Sequence, residues 1–169
     1  MIVGNGDLYE ALKDTLRAAD DRFIFFASGV SNSSETDKDE FFRERRLLLS
    51  QDETKHLVYF SSLDTFTKNS PYYDHKKHQE SLVKSVFANY TIIRLGNITW
   101  GKNPHTFINN YKNAKAAGLS WVLKDEYRYV IEKEEFQFWI EQIPDWNVEM
   151  SIPGQRMKVQ EALDRYANT

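Results

Sequence analysis

The chain has no cysteine, and that absence removes two ways of holding a small protein together, disulfide bridges and thiolate metal sites. It fits a reducing, cytoplasmic setting. Long apolar runs are missing too: no stretch is long enough to cross a bilayer, and the opening MIVGNG shows no basic leader followed by an apolar run. The expectation is a protein that is neither exported nor embedded in a membrane. Positive charge is not in excess either, with 22 Lys plus Arg against 25 Asp plus Glu and a formal net charge of −3. A broad basic field that would recruit nucleic acid is therefore not expected. Histidine is sparse, with four residues at positions 56, 75, 78 and 105. Only His75 and His78 are close in sequence, and a pair without a third ligand predicts no metal site. The 169 residues show no internal repeat and no low-complexity linker, so one domain over 1–169 with a substantial core is expected.

What is there is an alternation of strand-like and helix-like segments. MIVG is a short apolar run closed by Gly4, Asn5 and Gly6, after which Leu8, Leu12 and Leu16 recur at helical spacing to about residue 18. Glycines at such a turn let the backbone approach a phosphate at a helix N-terminus, which makes Gly4, Asn5 and Gly6 candidates for contact with a dinucleotide. A tight strand-to-helix turn explains the same residues, and Asp7 beside them would repel a pyrophosphate. Residues 22–29, RFIFFASG, read as a second buried strand. Past its end, Ser28, Gly29, Ser31 and Asn32 are placed either to line a ligand crevice or to form an Asx or Ser turn. A helix follows, with Ser34 or Thr36 as its cap and Phe41, Phe42, Leu47, Leu48 and Leu49 on its buried face. Within it, Arg43, Glu44, Arg45 and Arg46 mix charge signs and read as a solvated face.

Residues 57–80 concentrate the chemistry. LVYF reads as a buried parallel strand, and Ser61 and Ser62 place hydroxyls at its carboxyl end, where open α/β sheets bind their ligands. Tyr72 and Lys76, four residues apart, share one helix face. A tyrosine with its ordinary pKa of about 10 is a poor acid or base at neutral pH, and an ammonium close by stabilises its phenolate. A serine hydroxyl donates to an oxygen on which charge develops. Tyr73 and Lys77 form an overlapping pair, and either pair also reads as an exposed tyrosine beside a solvated lysine.

Farther on, residues 91–97, TIIRLGN, form a fourth strand, and a helix runs from after Pro104 to about Ala116 with Phe107, Ile108 and Tyr111 inward. Strand-like runs cover 121–123 and 127–131, and a short helix carries Phe136, Trp139 and Ile140. The tail adds a strand, a Pro153-Gly154 turn and a helix with Met157, Val159, Ala162 and Leu163. The aromatic residues of this half read as core or substrate-wall packing rather than as platforms for nucleic-acid bases. The order predicts a three-layer α/β/α sandwich around a mostly parallel sheet.

The stretch YFSSLDTF, then Tyr72-x-x-His75-Lys76-x-x-x-Glu80, then IIRLGNITWG, resembles the extended short-chain dehydrogenase/reductase family of NAD-dependent sugar-nucleotide epimerases and dehydratases. The resemblance runs over residues 1–140 and is strongest in 57–101. It implies a Rossmann-like fold, NAD or NADP as cofactor, and a sugar or sugar-nucleotide substrate. It implies Ser62, Tyr72 and Lys76 as the catalytic set, with Tyr72 as acid/base and Lys76 lowering its pKa and holding the nicotinamide ribose. Gly4, Asn5, Gly6, Ser28 and Gly29 join Lys76 on the cofactor side. Ser31, Asn32, Asp64 and Asn97 fall on the substrate side, Asp64 where the dehydratases place an acid. A homodimer through helices over 36–50 and 71–88 is also implied.

The family's pattern is not complete here. A dinucleotide fold places an acidic residue at the end of its second strand, about 20 residues past the glycine turn. In this chain the second visible strand, FIFFASG, looks like the family's fourth, so a reduced Rossmann-like sheet without the family's strands 2 and 3 is expected. The function expected first is a compact NAD(P)-dependent sugar-nucleotide epimerase, dehydratase or reductase, since all three catalytic residue types persist at workable spacing; the alternative is a non-catalytic binding or assembly module that has lost dinucleotide binding.

Overall fold

Alternation along the central strands sets the architecture. The computed structural model describes residues 1–168. In chain order its first half runs β1 (Ile2–Val3), α1 (Asp7–Leu12), α2 (Leu16–Ala19), β2 (Phe23–Phe26), α3 (Lys38–Leu49), β3 (His56–Ser62) and α4 (Pro71–Val86), with a short 3₁₀ turn (Leu63–Phe66) between the last two. The second half runs β4 (Tyr90–Leu95), β5 (Asn97–Ile98), α5 (Phe107–Ala116), β6 (Tyr127–Ile131), α6 (Lys133–Glu141), β7 (Val148–Ile152), β8 (Gln155–Lys158) and α7 (Val159–Tyr166). Five strands pair in the order β1-β2-β3-β4-β7, every pair parallel.

Successive strand residues point to opposite faces, and this sequence is apolar on both. On one face Phe25, Val58, Phe60, Ile93 and Leu95 pack with Ala11 and Leu12 of α1 and Phe136 and Ile140 of α6. On the other, Ile24, Phe26, Leu57, Tyr59 and Ile92 pack with Leu48 of α3 and Val83 of α4. The expected three-layer α/β/α sandwich with a mostly parallel sheet is the architecture observed. A smaller sheet, β5-β6-β8, is parallel between β5 and β6 and antiparallel between β6 and β8, and its inner residues Val130 and Met157 pack on Ala162 of α7.

β1 lies at the edge of the large sheet, and the chain reaches its neighbour β2 through α1 and α2 alone. That is the arrangement expected if the two strands beyond β1 are absent.

Local details differ from the sequence reading for identifiable reasons. The helix expected through residue 18 breaks, because Thr15 caps a new turn by accepting from the Ala18 N–H. α3 is capped by Asp37, not by Ser34 or Thr36, through its side chain and the Asp39 N–H. No strand forms at 121–123, where Val122 is exposed and Trp121 instead packs edge-on against Tyr111 of α5. Met157 belongs to β8 rather than to the closing helix, the Pro153-Gly154 turn joining β7 to β8.

Candidate functional site

The carboxyl ends of β1 to β4 open into a cleft of about 830 Å³. Its walls bring together Asn5, Gly6, Ser28, Gly29, Ser31, Ser62, Asp64, Tyr72, Lys76 and Asn97 from the sequence candidates. Gly4 and Asn32 do not line it. Gly4 has a positive φ of 128°, and a Cβ there would lie 2.5 Å from the Ala27 carbonyl oxygen, so its glycine serves the close approach of β1 to β2. Asn32 makes the Asx turn, its Oδ1 accepting from the Ser34 N–H at 3.0 Å.

The two serines face opposite ways, as adjacent strand residues must. Ser62 Oγ accepts from the Asp64 N–H at 3.3 Å and caps the 3₁₀ turn. Ser61 is 6% exposed, lines the cleft, and its Oγ has no hydrogen-bond partner among the described residues. A buried hydroxyl left without a protein partner is open to a hydrogen bond with water or a ligand.

α4 presents Tyr72, His75, Lys76, Gln79 and Glu80 toward the sheet and α3, the residues recurring three and four apart. Lys76 is almost wholly buried, and Nζ is 3.2 Å from Glu44 Oε1 and 3.2 Å from Tyr59 Oη. No hydrogen bond joins it to Tyr72, whose ring centroid is 5.8 Å away. The Tyr72 hydroxyl pKa is pushed upward by burial and by the Glu44 and Asp64 carboxylates, opposite in sense to the lowering the resemblance implies. Gly29 makes room for the lysine, since a Cβ there would come within 2.7 Å of Nζ. Of the alternative pair only Tyr73 reaches the cleft, its hydroxyl donating to Asp64 at 3.4 Å, while Lys77 bonds Asn69 on the surface.

Glu44 is the residue that sequence reasoning missed. The Arg43–Arg46 run reads as a solvated face, yet Glu44 is 0% exposed, whereas Phe42, expected inward, is 63% exposed. Its Oε1 accepts from Tyr59 Oη at 2.6 Å and from Lys76 at 3.2 Å; its Oε2 accepts from the Val30 N–H at 2.7 Å and from His75 Nε2 at 2.9 Å. Every lone-pair site of the carboxylate is filled. Burial pushes the Glu44 carboxyl up, but the Lys76 ammonium and the other three donors outweigh it and hold it at about 2. A signal was present: Phe41, Glu44 and Leu48 recur at three and four residues, which puts Glu44 on the inward face.

The substrate-side candidates are tied to their neighbours. Asp64 accepts from Lys68 Nζ at 2.6 Å, Asn97 Nδ2 donates to the Tyr129 carbonyl at 2.9 Å, and Ser31 Oγ accepts from Asn103 Nδ2 at 2.9 Å. Arg94, from the family-like RLGN segment, binds Glu80 through both carboxylate oxygens and Glu149 at 2.7 Å, so Glu80 serves the fold.

The glycine-turn wall of the cleft carries a carboxylate of the chain itself. Asp7 opens α1, and its carboxylate accepts from the Lys102 and Asn103 N–H groups, each at 2.9 Å. Trp100 Nε1 donates to the Asp7 carbonyl at 3.1 Å. Gly101, at φ 93°, allows this contact: a Cβ would lie 2.0 Å from Asp7 Cγ. The turn that would cradle a dinucleotide's pyrophosphate carries a carboxylate, and no strand beyond β1 forms a wall for its adenosine.

Among the described residues no cluster of His, Asp and Glu is arranged to hold a metal, and no helix is long and apolar enough to cross a membrane.

No protein-family model matches the sequence, and no curated protein matches it. Solved structures do. UDP-glucose 4-epimerase from Thermus thermophilus, in complex with NAD, superposes with a TM-score of 0.61 at 14% identity, covering 87% of this chain and 61% of that one. The Bordetella bronchiseptica enzyme WbmG, in complex with NAD and UDP, gives 0.61 at 14%, covering 87% and 55%. UDP-glucose 4-epimerase from Thermotoga maritima, with UDP-glucose, gives 0.62 at 14%, covering 85% and 59%. The likeness is one of fold, a Rossmann-like fold shared with sugar-nucleotide epimerases, and this chain spans between 55% and 61% of the length of these three.

Proposed function

We propose that the chain is a sugar-nucleotide-binding module that takes its ligand in the cleft at the carboxyl ends of β1 to β4 and carries no dinucleotide. The observation that carries this reading is the Asp7 carboxylate bound by the Lys102 and Asn103 N–H groups across the glycine turn. A phosphate entering there meets a fixed negative charge at close range, where Coulomb repulsion is strong. The opposite wall is polar: Ser61, Ser62, Tyr72, Asn97 and Arg128 all line the cleft, Arg128 paired with Glu126 at 2.8 Å. The ligand class follows from chemistry and fold together. Hydroxyl and amide donors with the guanidinium groups of Arg43 and Arg128 suit a sugar carrying a phosphate, and the solved structures with this fold include complexes with UDP and UDP-glucose.

Isothermal titration with UDP-glucose, paired with reduced-nicotinamide fluorescence for NADH and NADPH, tests the reading. Saturable binding of UDP-glucose with no fluorescence change at millimolar dinucleotide is expected. Saturable NADH or NADPH binding overturns it.

A second reading has one observation in its favour, that Ser61, Ser62, Tyr72 and Lys76 share a single cleft. It is the NAD(P)-dependent epimerase, dehydratase or reductase implied by the sequence motifs, with Tyr72 as acid/base. Under it, dinucleotide binds and turnover of a sugar nucleotide is lost on Tyr72→Phe while binding is kept.

A further inference from the structure

We propose that Glu44 is the positioning residue of this cleft: it holds Lys76 in a buried ion pair and so keeps the Tyr72 hydroxyl a hydrogen-bond donor toward the ligand rather than an acid–base group. The inference deepens the binding reading above and uses the same cleft.

Its basis is a closed count of donors and acceptors. An ammonium has three donors and a carboxylate about four acceptor sites. Lys76 gives one donor to Glu44 Oε1 and one to Tyr59 Oη. Glu44 takes the Lys76 proton together with those of Tyr59, His75 and the Val30 backbone, so the pair is satisfied from four elements of the chain: β3, α3, α4 and the loop after β2. Nothing of the carboxylate is left for a ligand. Lys76 therefore faces the cleft as half of a neutral pair, with a single remaining N–H, and its positive charge is compensated before it reaches Tyr72.

The charges around Tyr72 point the same way. Glu44 lies behind it, and Asp64 approaches from the 3₁₀ turn with its own partners Lys68 and Tyr73. Lys76 is the nearby cation, over the Tyr72 ring at 5.8 Å from its centroid and hydrogen-bonded elsewhere. Tyr59, whose hydroxyl donates to Glu44, stays protonated for the same reasons of burial and carboxylate proximity. The Val30 contact adds a mechanical consequence: Glu44 fixes the backbone just past Ser28 and Gly29, so one side chain sets both the charge of the cleft floor and the position of its wall.

The test is made without ligand, so a failure of UDP-glucose to bind and a failure of this inference are told apart. Tyrosine ring carbons are labelled, and the Tyr72 signal, assigned by its loss in Tyr72→Phe, is followed by NMR as pH rises. In the unmodified protein Tyr72 is expected to show no ionisation up to about pH 10, the ordinary tyrosine value. In Glu44→Gln, where Lys76 has lost its counter-charge, the Tyr72 signal is expected to titrate at lower pH. A parallel stability cycle uses Glu44→Gln, Lys76→Met and the double variant. Each single change should raise the unfolded population by on the order of a hundredfold or more, and the double variant by less than the two combined. The proposal is overturned if Tyr72 of the unmodified protein ionises below the ordinary tyrosine range, or if the two single effects simply add. The first of these readouts needs no variant at position 44, so a failure of Glu44→Gln to fold leaves the question decided by it.

Discussion

The two walls of the cleft use a carboxylate in opposite ways. On the glycine-turn wall Asp7 reaches outward from the first turn of α1 to capture two backbone N–H groups of loop 101–103, and the wall presents a carboxylate to the cleft. On the hydroxyl wall Glu44 faces inward and is saturated, and Ser61 and Tyr72 line the cleft with hydroxyls that make no hydrogen bond among the described residues. The difference teaches that motif residues report where a crevice is, while the carboxylates behind them decide what the crevice can hold. A glycine turn with an acid on it is a poor phosphate cradle, and a tyrosine-lysine pair with an acid behind the lysine is a poor acid–base device.

This contrast can be broken most severely at Glu44. Glu44→Ala leaves the Lys76 ammonium buried without its counter-charge, and a loss of about 3–5 kcal/mol is expected in urea unfolding. A loss below about 1 kcal/mol, the level of surface pairs, would erase the distinction between the walls.

The pH dependence of stability sharpens the same point. The Glu44 carboxyl is held at about 2 in the folded chain, against about 4.3 for an unperturbed glutamate. Because the folded value is the lower one, the stabilisation is fully present above the unfolded value and is lost as pH falls through the folded one. Stability should therefore decline as pH drops from about 5 toward 2, and the decline should be shallower in Glu44→Gln.

The glycine wall breaks more gently. Gly101→Ala would set a Cβ 2.0 Å from Asp7 Cγ at a φ of 93°, so the carboxylate must leave its two N–H donors. A cost of about 1–3 kcal/mol is expected in the same unfolding assay. Tyr72→Phe is the smallest change. No intramolecular partner of its hydroxyl is lost, so stability should hold within about 0.5 kcal/mol. Affinity for UDP-glucose should weaken by about 0.5–1.5 kcal/mol in titration calorimetry, the worth of one hydrogen bond.

Much of the fold was legible because it rests on apolar period and strand order. FIFF and LVYF are apolar on both faces, and a strand buried on both faces belongs in a parallel sheet covered by helices. The missing half of the Rossmann pattern was legible for the same reason, since only α1 and α2 fit between the first two strands. The cleft was legible in outline, because small and hydroxyl residues at strand ends collect there whatever their individual roles.

What stayed hidden depends on contacts between distant residues. Glu44 lies 31 positions before His75, its 2.9 Å partner, and a charged residue within a charged run gives no local sign that such a partner exists. The Lys76 partnership is hidden likewise: four-residue spacing put it on the face of Tyr72, but its ammonium donates to Tyr59 and Glu44, on other elements. Asp7 was legible as a repulsive charge, and its binding to loop 101–103 was not.

Two-dimensional ¹H–¹⁵N NMR of the full chain during titration with UDP-glucose reads both walls at once. The account predicts saturable shifts centred on Ser61, Ser62, Asn97 and Arg128, with the amides of Gly4, Gly6, Lys102 and Asn103 little changed. Shifts centred on Gly4, Gly6, Lys102 and Asn103 would contradict it, as would the absence of any saturable shift at the hydroxyl wall.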